Sequence, residues 1–396
     1  MSKDVLILCS NAYWPSIGGI ENSLRHLAGE ARKSNLRVLI VASDIGVNVK
    51  DPEHLASWKE GVRVIRYPMT PIKFRCLKPV NFLLSILILR RLFRRLKRMS
   101  PGATIVARHH FLVLAAVAAG FQGVRYLVPS IAVQQELAER ASRRGLFKVV
   151  RSRAYVALHS LLQRLALQCS TVFVFSRTMA TQCAHLSGKN LQDISVVKPG
   201  VDPARFHPLE ASLKVSLKKK LSLPVDRKLA LFVGRFVHAK GVDLLLESIA
   251  AKSSSYDVVL VGRGTELENY LALIKNRSLQ KNVFIFPNTP SVEEYFQAAD
   301  VFVMCSRYEP FGQTVLEALC SGLPVVAFRG ASGVVTATEE LGMDDYIVYA
   351  SNLSAESLSA AISECIKKQF WDASAISIAC HTTYNWRRLL DDLMDG

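Results

Sequence analysis

The sequence of 396 residues lacks several features that would place it in a special class of protein. Its eight cysteines include no CxxC pair, so neither a zinc site nor a dithiol redox motif is indicated. Its apolar stretches, such as residues 82–89, are far shorter than the about 20 residues that a membrane-spanning helix needs. No secretory signal is visible before the first apolar run at residues 5–9. The sequence therefore predicts a cytoplasmic chain whose cysteines are reduced and mostly buried.

Acidic residues are scarce in the N-terminal half, and none occurs from residue 61 to residue 135. Residues 1–200 hold 30 Lys and Arg against 10 Asp and Glu, whereas residues 201–396 hold 20 against 23. The whole chain has a formal charge of +17. This uneven excess predicts that the N-terminal half meets an anionic partner, either a nucleic acid, a membrane surface or a phosphorylated substrate.

Residues 89–99 combine an apolar face and a basic face at helical spacing. The pattern predicts a basic amphipathic helix that binds an anionic membrane, and an ordinary domain helix packed on a sheet is the alternative. Its basic residues are Arg90, Arg91, Arg94, Arg95, Lys97 and Arg98, and a second basic cluster occupies residues 140–153. Proteins that bind single-stranded nucleic acids interleave aromatic residues with basic ones, and neither cluster shows that pattern. No nucleic-acid partner is therefore expected.

Short apolar runs alternate with helical patterns, and the alternation restarts after a Pro/Gly segment at residues 196–203. The runs lie at residues 5–9, 37–42, 62–67, 104–107, 124–128 and 171–175, then at 229–233, 258–261, 283–286, 301–305, 324–328 and 346–349. Nearly continuous apolar character predicts strands buried on both faces of a parallel sheet. We expect an α/β protein of two Rossmann-like, doubly wound domains, residues 1–198 and 199–379, facing each other across a cleft. Residues 380–396 are expected to form a helix that packs back toward the first domain.

A first motif follows the run at residues 301–305. Gly312, Gln313 and Thr314 open the next predicted helix, and Thr314 is expected to cap it. The backbone N–H groups at such a helix start form an anion site. Glu309 and Glu317 flank this site, and their carboxylates accept hydrogen bonds from hydroxyl groups. A sugar nucleotide carries both the phosphates and the hydroxyls that this arrangement fits.

Two further motifs also follow strand ends. Gly234, Arg235 and Lys240 come directly after the run at residues 229–233, and Arg with Lys is the usual pair for a diphosphate. Gly18 and Gly19 follow the first run of the chain, where paired glycines let the backbone approach a ligand closely. Each motif alone is typical of an ordinary turn or solvated surface. Their joint occurrence after strand ends favours a ligand site.

Together these motifs resemble those of the retaining glycosyltransferases of the GT-B fold, specifically family 4. The family's Glu-x7-Glu motif is matched by Glu309 and Glu317, and its Gly-Arg-x4-Lys-Gly motif by residues 234–241. The N-terminal Gly-Gly loop is matched by Gly18 and Gly19. Residues 261–264 and 199–202 resemble a strand-end turn and the interdomain segment of the family. The resemblance extends over nearly the whole chain and is strongest at residues 196–328.

This resemblance implies a metal-independent hexosyltransferase-type enzyme (EC 2.4) that uses a UDP- or GDP-sugar and no cofactor. It implies that Glu309 binds donor-sugar hydroxyls, that Glu317 binds the ribose hydroxyls, and that Arg235 and Lys240 neutralise the diphosphate. The implied catalytic residues are Glu309, Arg235 and Lys240. The implied donor-binding residues are Gly18, Gly19, Gly234, Gly312, Gln313, Thr314 and Glu317. Retention of anomeric configuration is also implied by the resemblance alone.

The sequence departs from the family pattern at two places. Many members carry a donor-contacting His after the strand that corresponds to residues 125–128, and this chain has none there. His109 and His110 follow an earlier strand and are candidate cleft residues instead. Residues 286–288 read Phe-Pro-Asn where the family usually has a glycine near the base pocket. The base of the donor therefore stays open.

The basic N-terminal half suggests an acceptor at a membrane, since that half usually binds the acceptor in this fold. We expect transfer to a membrane-associated saccharide or lipid-linked acceptor, in cell-envelope polysaccharide, lipopolysaccharide or glycolipid synthesis. The enzyme would be peripheral on the inner face of the cytoplasmic membrane. The alternatives are a soluble transferase with a small phosphorylated acceptor, a GT-B sugar-nucleotide epimerase and a non-catalytic anion-binding protein.

Overall fold

The computed structural model describes residues 4–14, 18–45, 47, 58–59, 61–69, 78–134, 146–250, 255–287, 289–368 and 371–395. The chain divides into two compact units. Unit 1 comprises Met1–Val133, Arg151–Gly200 and Trp386–Gly396, and unit 2 comprises Gln134–Val150 and Val201–Asn385. The second basic cluster at residues 140–153 lies outside the residues whose side chains the structure describes.

Unit 1 contains a sheet of eight strands in the order β3-β4-β2-β1-β5-β6-β7-β8. The strands are β1 (Val5–Ser10), β2 (Arg37–Ser43), β3 (Trp58–Lys59), β4 (Val62–Tyr67), β5 (Thr104–Ala107), β6 (Arg125–Leu127), β7 (Thr171–Val174) and β8 (Ile194–Val196). All pairs are parallel except that of the short edge strand β3 with β4. Because helices cover both faces of such a sheet, its strands are apolar at nearly every position.

The helices of this part of the chain are α1 (Gly19–Lys33), α2 (Lys78–Met99), α3 (His110–Ala118), α4 (Leu146–Gln168) and α5 (Arg177–Ser187). Glu21 lies in the first turn of α1 and Arg32 and Lys33 in its last, as the helix dipole favours. Helix α5 begins at the capping side chain of Ser176 and ends at Gly188, which has a φ of 74°. Local chemistry thus sets the ends of both helices.

Unit 2 contains a six-stranded parallel sheet in the order β11-β10-β9-β12-β14-β16 and a separate parallel pair, β13 with β15. The strands are β9 (Lys228–Val233), β10 (Tyr256–Val261), β11 (Val283–Phe286), β12 (Val301–Met304), β13 (Tyr308–Glu309), β14 (Val325–Phe328), β15 (Val335–Thr336) and β16 (Ile347–Ala350). The order reverses between β9 and β12, which is where ligands bind in doubly wound sheets.

The remaining helices are α6 (Ala211–Lys220), α7 (Val242–Ala250), α8 (Leu267–Asn276), α9 (Glu293–Ala298), α10 (Gln313–Cys320), α11 (Ala355–Lys367), α12 (Ala373–Thr383) and α13 (Trp386–Asp395). The predicted C-terminal helix at residues 380–396 is therefore divided, because Tyr384 leaves the helical conformation with a φ of −114°. Leu389, Leu390 and Leu393 of α13 are buried in the same core as Leu24 and Leu27 of α1.

The predicted basic amphipathic helix corresponds to the C-terminal part of α2. Leu89, Phe93 and Leu96 are buried in the unit 1 core. Arg90, Arg91, Arg94, Arg95 and Arg98 are exposed, whereas Lys97 donates to the carbonyl of Pro101 at 2.9 Å. The apolar face thus packs on the domain, and the outer face is basic. Among the described residues, none forms a helix that is both long enough and apolar enough to cross a membrane.

Candidate functional site

The loops that follow β9, β10 and β12 meet at the carboxyl edge of the unit 2 sheet, because these strands are neighbours. Gly241 ends the first loop with a φ of 65°, and a Cβ there would overlap the carbonyl oxygen of Cys305. The backbone N–H of Arg307 donates to Ala239 at 2.8 Å. The Arg307 side chain binds Asp243 through two hydrogen bonds of 2.8 and 2.6 Å. These contacts fix the position of the loop that contains Lys240.

The loop after β10 packs directly against the loop after β9. A Cβ on Gly262 would overlap the carbonyl oxygen of Gly234, and one on Gly264 would overlap that of Phe236. The N–H of Phe236 donates to Arg263 at 2.9 Å. The two loops therefore form one layer of backbone, which explains why glycine recurs at these positions.

Gly241→Ala is expected to destabilise unit 2 strongly, because the added methyl has no room beside Cys305. Gly333 is a matched control, since it has a φ of 85° but nothing within 4 Å of a Cβ. Gly333→Ala should lower the free energy of unfolding by only about 1–2 kcal/mol, which is the usual cost of a left-handed backbone conformation for a residue with a Cβ. Thermal unfolding of both variants measures the difference. Equal losses would contradict the close approach of the two loops.

Lys240 and Glu309 form an ion pair at this edge, with side chains that are 17% and 13% exposed. Glu309 is fixed by the pairing of β13 with β15, and its carbonyl accepts from the N–H of Ala337 at 3.2 Å. Gly312 has a φ of 92° and turns the chain into α10. A Cβ on Gly312 would lie 3.5 Å from Cγ of Glu309. The structure therefore brings Lys240, Glu309 and the start of α10 together.

The predicted capping role of Thr314 is wrong. Helix α10 begins at Gln313 after Gly312, and no side chain caps it. Thr314 lies inside the first turn because the positive φ of Gly312 starts the helix earlier than the sequence indicated. The first N–H groups of α10 consequently have no side-chain cap, as is usual where a ligand anion binds a helix start.

Arg235 and Gly234 belong to the same loop as Lys240. A Cβ on Gly234 would lie 3.1 Å from Cζ of the Phe232 ring. Arg235 is exposed and makes no ion pair with any residue that the structure describes. Two cations therefore lie at the edge where the resemblance places a diphosphate. Arg235 is exposed, whereas Lys240 is mostly buried.

Glu317 lies on α10, about one turn after the start of that helix. Burial raises the pKa of its carboxyl to about 8, the nearby Arg205 lowers it, and Glu293 raises it further. Arg205 forms an ion pair with Glu293 and donates to the carbonyl of Pro290 at 2.8 Å. Sequence reasoning missed Arg205, whose only signal was its position shortly after the Pro/Gly segment at residues 196–203. The carboxyl of Glu317 is thus largely protonated at neutral pH.

Unit 1 has its own cluster of polar groups at the carboxyl edge of its sheet. His109 follows β5 and caps α3, where its Nδ1 accepts from the N–H of Phe111 at 3.3 Å. Nε2 of His110 lies 3.0 Å from Nδ1 of His159. Burial is the largest cause that lowers the pKa of all three imidazoles, that of His109 to about 4. These histidines are neutral at physiological pH.

Arg108 precedes this cluster and is only 5% exposed. Its Nε and Nη1 have no hydrogen-bond partner among the residues that the structure describes, and its guanidinium lies 5.1 Å from the ring of Phe175. Burial lowers its pKa to about 10, so that the group keeps its charge at neutral pH. Sequence reasoning missed Arg108, because no pattern of residues shows that a side chain lacks a partner.

Gly18 and Gly19 also belong to unit 1, at the start of α1. Gly19 is exposed, with nothing within 4 Å of a Cβ position. Oε2 of Glu21 lies 2.6 Å from the Cβ position of Gly18, so the carboxylate folds back over the helix start. The structure leaves the backbone open at Gly19.

Two family models match consecutive parts of the chain. The model for glycosyltransferase family 4 matches residues 17–205, and the model for glycosyl transferases group 1 matches residues 214–378. Together they cover most of the chain, one in its N-terminal half and the other in its C-terminal half.

Curated relatives agree with this match over shorter stretches. A D-inositol 3-phosphate glycosyltransferase of Acidothermus cellulolyticus is 33% identical over 177 residues, which are 41% of this chain and 39% of the relative. TuaC of Bacillus subtilis, a glycosyltransferase named for teichuronic acid biosynthesis, is 31% identical over 204 residues, 51% of this chain and 48% of the relative. The matches thus span less than half the length of these relatives.

Solved structures agree over the whole chain. HepE of Anabaena, in complex with UDP and glucose, has a TM-score of 0.75 and 16% identity, covering 100% of both chains. Identity at this level establishes the fold alone. With two parallel α/β units and both family matches, the chain belongs to the group 1, family 4-like glycosyltransferases and has their GT-B fold.

Proposed function

We propose that the protein transfers a sugar from a nucleotide-sugar donor to a saccharide or lipid-linked acceptor, with retention of anomeric configuration. The observation that carries this proposal is the meeting of Lys240, Glu309 and the start of α10 at one sheet edge. A cation, a carboxylate and a set of backbone donors fit a diphosphate joined to a polyol. The complex of HepE with UDP and glucose supports a donor of this kind.

In the proposed reaction Lys240 changes its partner. It pairs with Glu309 in the structure, and in this proposal it binds the diphosphate of the donor instead. Glu309 is then free to accept hydrogen bonds from the donor sugar. The bond between the anomeric carbon and the diphosphate oxygen breaks, and the acceptor oxygen bonds to that carbon. The acceptor proton passes to the leaving phosphate, whose charge Lys240 and Arg235 stabilise.

Glu317 binds the ribose hydroxyls in this proposal. It follows the first turn of α10, which is proposed to bind the diphosphate. In a nucleotide the ribose likewise follows the diphosphate. A protonated carboxyl can donate one hydrogen bond and accept another, so it can bind a pair of neighbouring hydroxyls without a charge.

The exposed basic face of α2 supports an acceptor at a membrane. Five arginines of this helix point away from the core, and each contributes on the order of 1 kcal/mol near an anionic leaflet. We propose that unit 1 binds the inner face of the cytoplasmic membrane through this face, and that the product belongs to a cell-envelope polysaccharide, lipopolysaccharide or glycolipid. The name of TuaC, which refers to an envelope polymer, agrees with this.

Arg108 favours a second candidate, a soluble transferase with a small phosphorylated acceptor. Nε and Nη1 of the buried guanidinium bind no described residue, and such donors suit a phosphate. The name of the relative from Acidothermus cellulolyticus refers to an acceptor of this kind. Co-sedimentation with vesicles that contain phosphatidylglycerol separates the candidates, because only the membrane enzyme is expected in the pellet.

Arg108→Met is expected to stabilise unit 1, by about 1–3 kcal/mol, because a buried donor without a partner is costly and Met has a similar length. The exposed Arg164→Met, on α4, is the control and should leave the melting temperature unchanged. Thermal unfolding measures both. A large loss of stability in Arg108→Met would show that the guanidinium has a partner within the protein.

The transfer itself is tested by release of UDP from UDP-glucose, with and without a membrane extract as the source of acceptor. The proposal predicts release only with the extract, retention of configuration by NMR of the product, and unchanged rates in EDTA. Glu309→Gln should abolish release. Conversion of the sugar without any acceptor would instead indicate an epimerase.

A further inference from the structure

Unit 1 contains a cavity of 510 Å³ between its sheet and the end of α2. The sheet contributes the first residues of β1, β2 and β4, including Val5, Arg37 and Arg63, and α2 contributes residues of its last two turns. The cavity therefore lies at the amino edge of the sheet. His109 and Gly18 lie at the carboxyl edge, about 16 Å away along the strands. This cavity is separate from the place where doubly wound sheets bind their substrates.

The floor of the cavity is apolar. Leu39 and Ile65 contribute from the sheet, and Leu92 and Met99 contribute from α2. Met99 is 60% exposed, and the other three are only partly buried although their neighbours Ile7 and Phe93 are fully buried. Apolar surface of this kind is stabilised when an apolar group covers it.

The rim of the cavity is cationic. Four arginines surround it, and no Asp or Glu is among the described residues that line it: Arg32, Arg37, Arg63 and Arg95. Arg66 also lines the cavity, but its guanidinium donates to the carbonyls of Ser43 and Trp14 at the other edge of the sheet. Arg37, Arg63 and Arg95 are exposed and form no ion pair with any described residue. Cations gathered without a counter-charge repel one another, and an anion placed among them offsets that cost.

An apolar floor beneath a cationic rim matches an anionic amphiphile. Inorganic phosphate would bind the rim and leave the floor uncovered, and no aromatic ring among the described lining residues could stack a nucleotide base. The volume falls within the range of small-molecule sites, about 300–1,000 Å³. Arg95 and Met99 belong both to the cavity and to the end of the basic helix α2, so that the cavity opens beside the surface proposed to meet the membrane.

We propose that this cavity binds one anionic lipid, with its phosphate among Arg37, Arg63 and Arg95 and the first part of its acyl chain on the floor. The proposal deepens the membrane association proposed above and rests on it. Association through the outer face of α2 depends on charge density alone, whereas this cavity recognises a single lipid molecule. It would therefore hold unit 1 at the bilayer with a preference for phosphate headgroups.

The experiment uses the full chain and short-chain lipids below the concentration at which they form micelles. Thermal unfolding is followed with dihexanoyl phosphatidic acid, dihexanoyl phosphatidylcholine and inorganic phosphate at equal concentrations. We expect only phosphatidic acid to raise the melting temperature. The double variant Arg37→Ala/Arg63→Ala should weaken its binding at least tenfold. Arg90→Ala/Arg91→Ala removes the same charge from the outer face of α2 and should leave that binding intact.

A third variant, Met99→Trp, partly fills the mouth of the cavity without changing its charge, and it should weaken phosphatidic acid binding as well. Because Met99 is mostly exposed, this substitution does not disturb the core. The proposal is overturned if inorganic phosphate produces the same shift as the lipid, if phosphatidic acid produces none, or if both arginine pairs cause the same loss.

Vesicle co-sedimentation separates this proposal from the proposed membrane association. Binding to phosphatidylglycerol vesicles without any response to phosphatidic acid would rule out the cavity as a lipid site. The proposed membrane association through α2 would still stand. A specific response to phosphatidic acid without vesicle binding would support the cavity as a lipid site and would rule out the proposed association with the membrane surface.

Discussion

Lys240→Ala is expected to lower kcat/KM by about two to three orders of magnitude, the usual effect of removing a preorganised group that stabilises charge in a transition state. Lys240 lies beside Glu309 and the start of α10, and it is mostly buried, so its charge acts in a poorly solvated place. Lys275→Ala, on the exposed surface of α8, removes the same charge and should leave the rate unchanged. Initial rates of UDP release at several donor concentrations measure the effect.

The same substitution also removes the ion-pair partner of Glu309, which lowers stability because a partly buried carboxylate then stands alone. The double variant Lys240→Ala/Glu309→Gln removes that charge too. It should recover most of the melting temperature and none of the activity. Recovery of activity in the double variant would mean that Lys240 serves only to neutralise Glu309. A loss of less than fivefold in Lys240→Ala would contradict its proposed contact with the diphosphate.

Glu317→Gln is expected to make the protein more stable at high pH and to weaken donor binding. Burial raises the pKa of Glu317 to about 8 in the folded chain, whereas the unfolded chain titrates near 4.5. Between these values the unfolded state releases a proton that the folded state keeps, so the free energy of unfolding falls as pH rises. The loss is complete above pH 8 and amounts to at most about 5 kcal/mol.

Thermal unfolding of the wild type and Glu317→Gln from pH 5 to pH 9 measures this dependence. The two proteins should have similar melting temperatures near pH 5, and the variant should melt several degrees higher at pH 9. Glu268→Gln, an exposed position on α8, should match the wild type at every pH. A variant that is less stable than the wild type at pH 9 would show that Glu317 is ionised in the folded chain.

Much of the fold could be predicted because the strands are buried on both faces. The apolar runs at residues 62–67, 104–107 and 283–286 correspond to β4, β5 and β11 with the same bounds. Lys240 and Glu309 are 69 positions apart in sequence, and the sequence placed each of them after a strand end. That the two strands are neighbours is a finding of the structure. The proposed roles of Lys240 and Glu309 stay predictions until activity is measured.

Other features depend on geometry that no sequence pattern contains. The start of α10 depends on the positive φ of Gly312. The sequence did not show this, because Thr314 is a residue type that often caps helices. The missing partners of Arg108 and the ion pair of Arg205 with Glu293 result from where distant segments pack. The arginines around the amino-edge cavity come from two strands and two helices, and only the scarcity of acidic residues indicated them in the sequence.

The most direct test of the central claim is a thermal-shift titration with UDP-glucose, GDP-mannose and ADP-glucose, with Glu317→Ala and Lys240→Ala beside the wild type. A donor present at a hundredfold excess over its dissociation constant stabilises the folded state by about 2.7 kcal/mol. We predict a rise in melting temperature with one nucleotide and its loss in both variants. No shift with any of the three in the folded wild type, or an equal shift in both variants, would contradict a donor site at the carboxyl edge of unit 2.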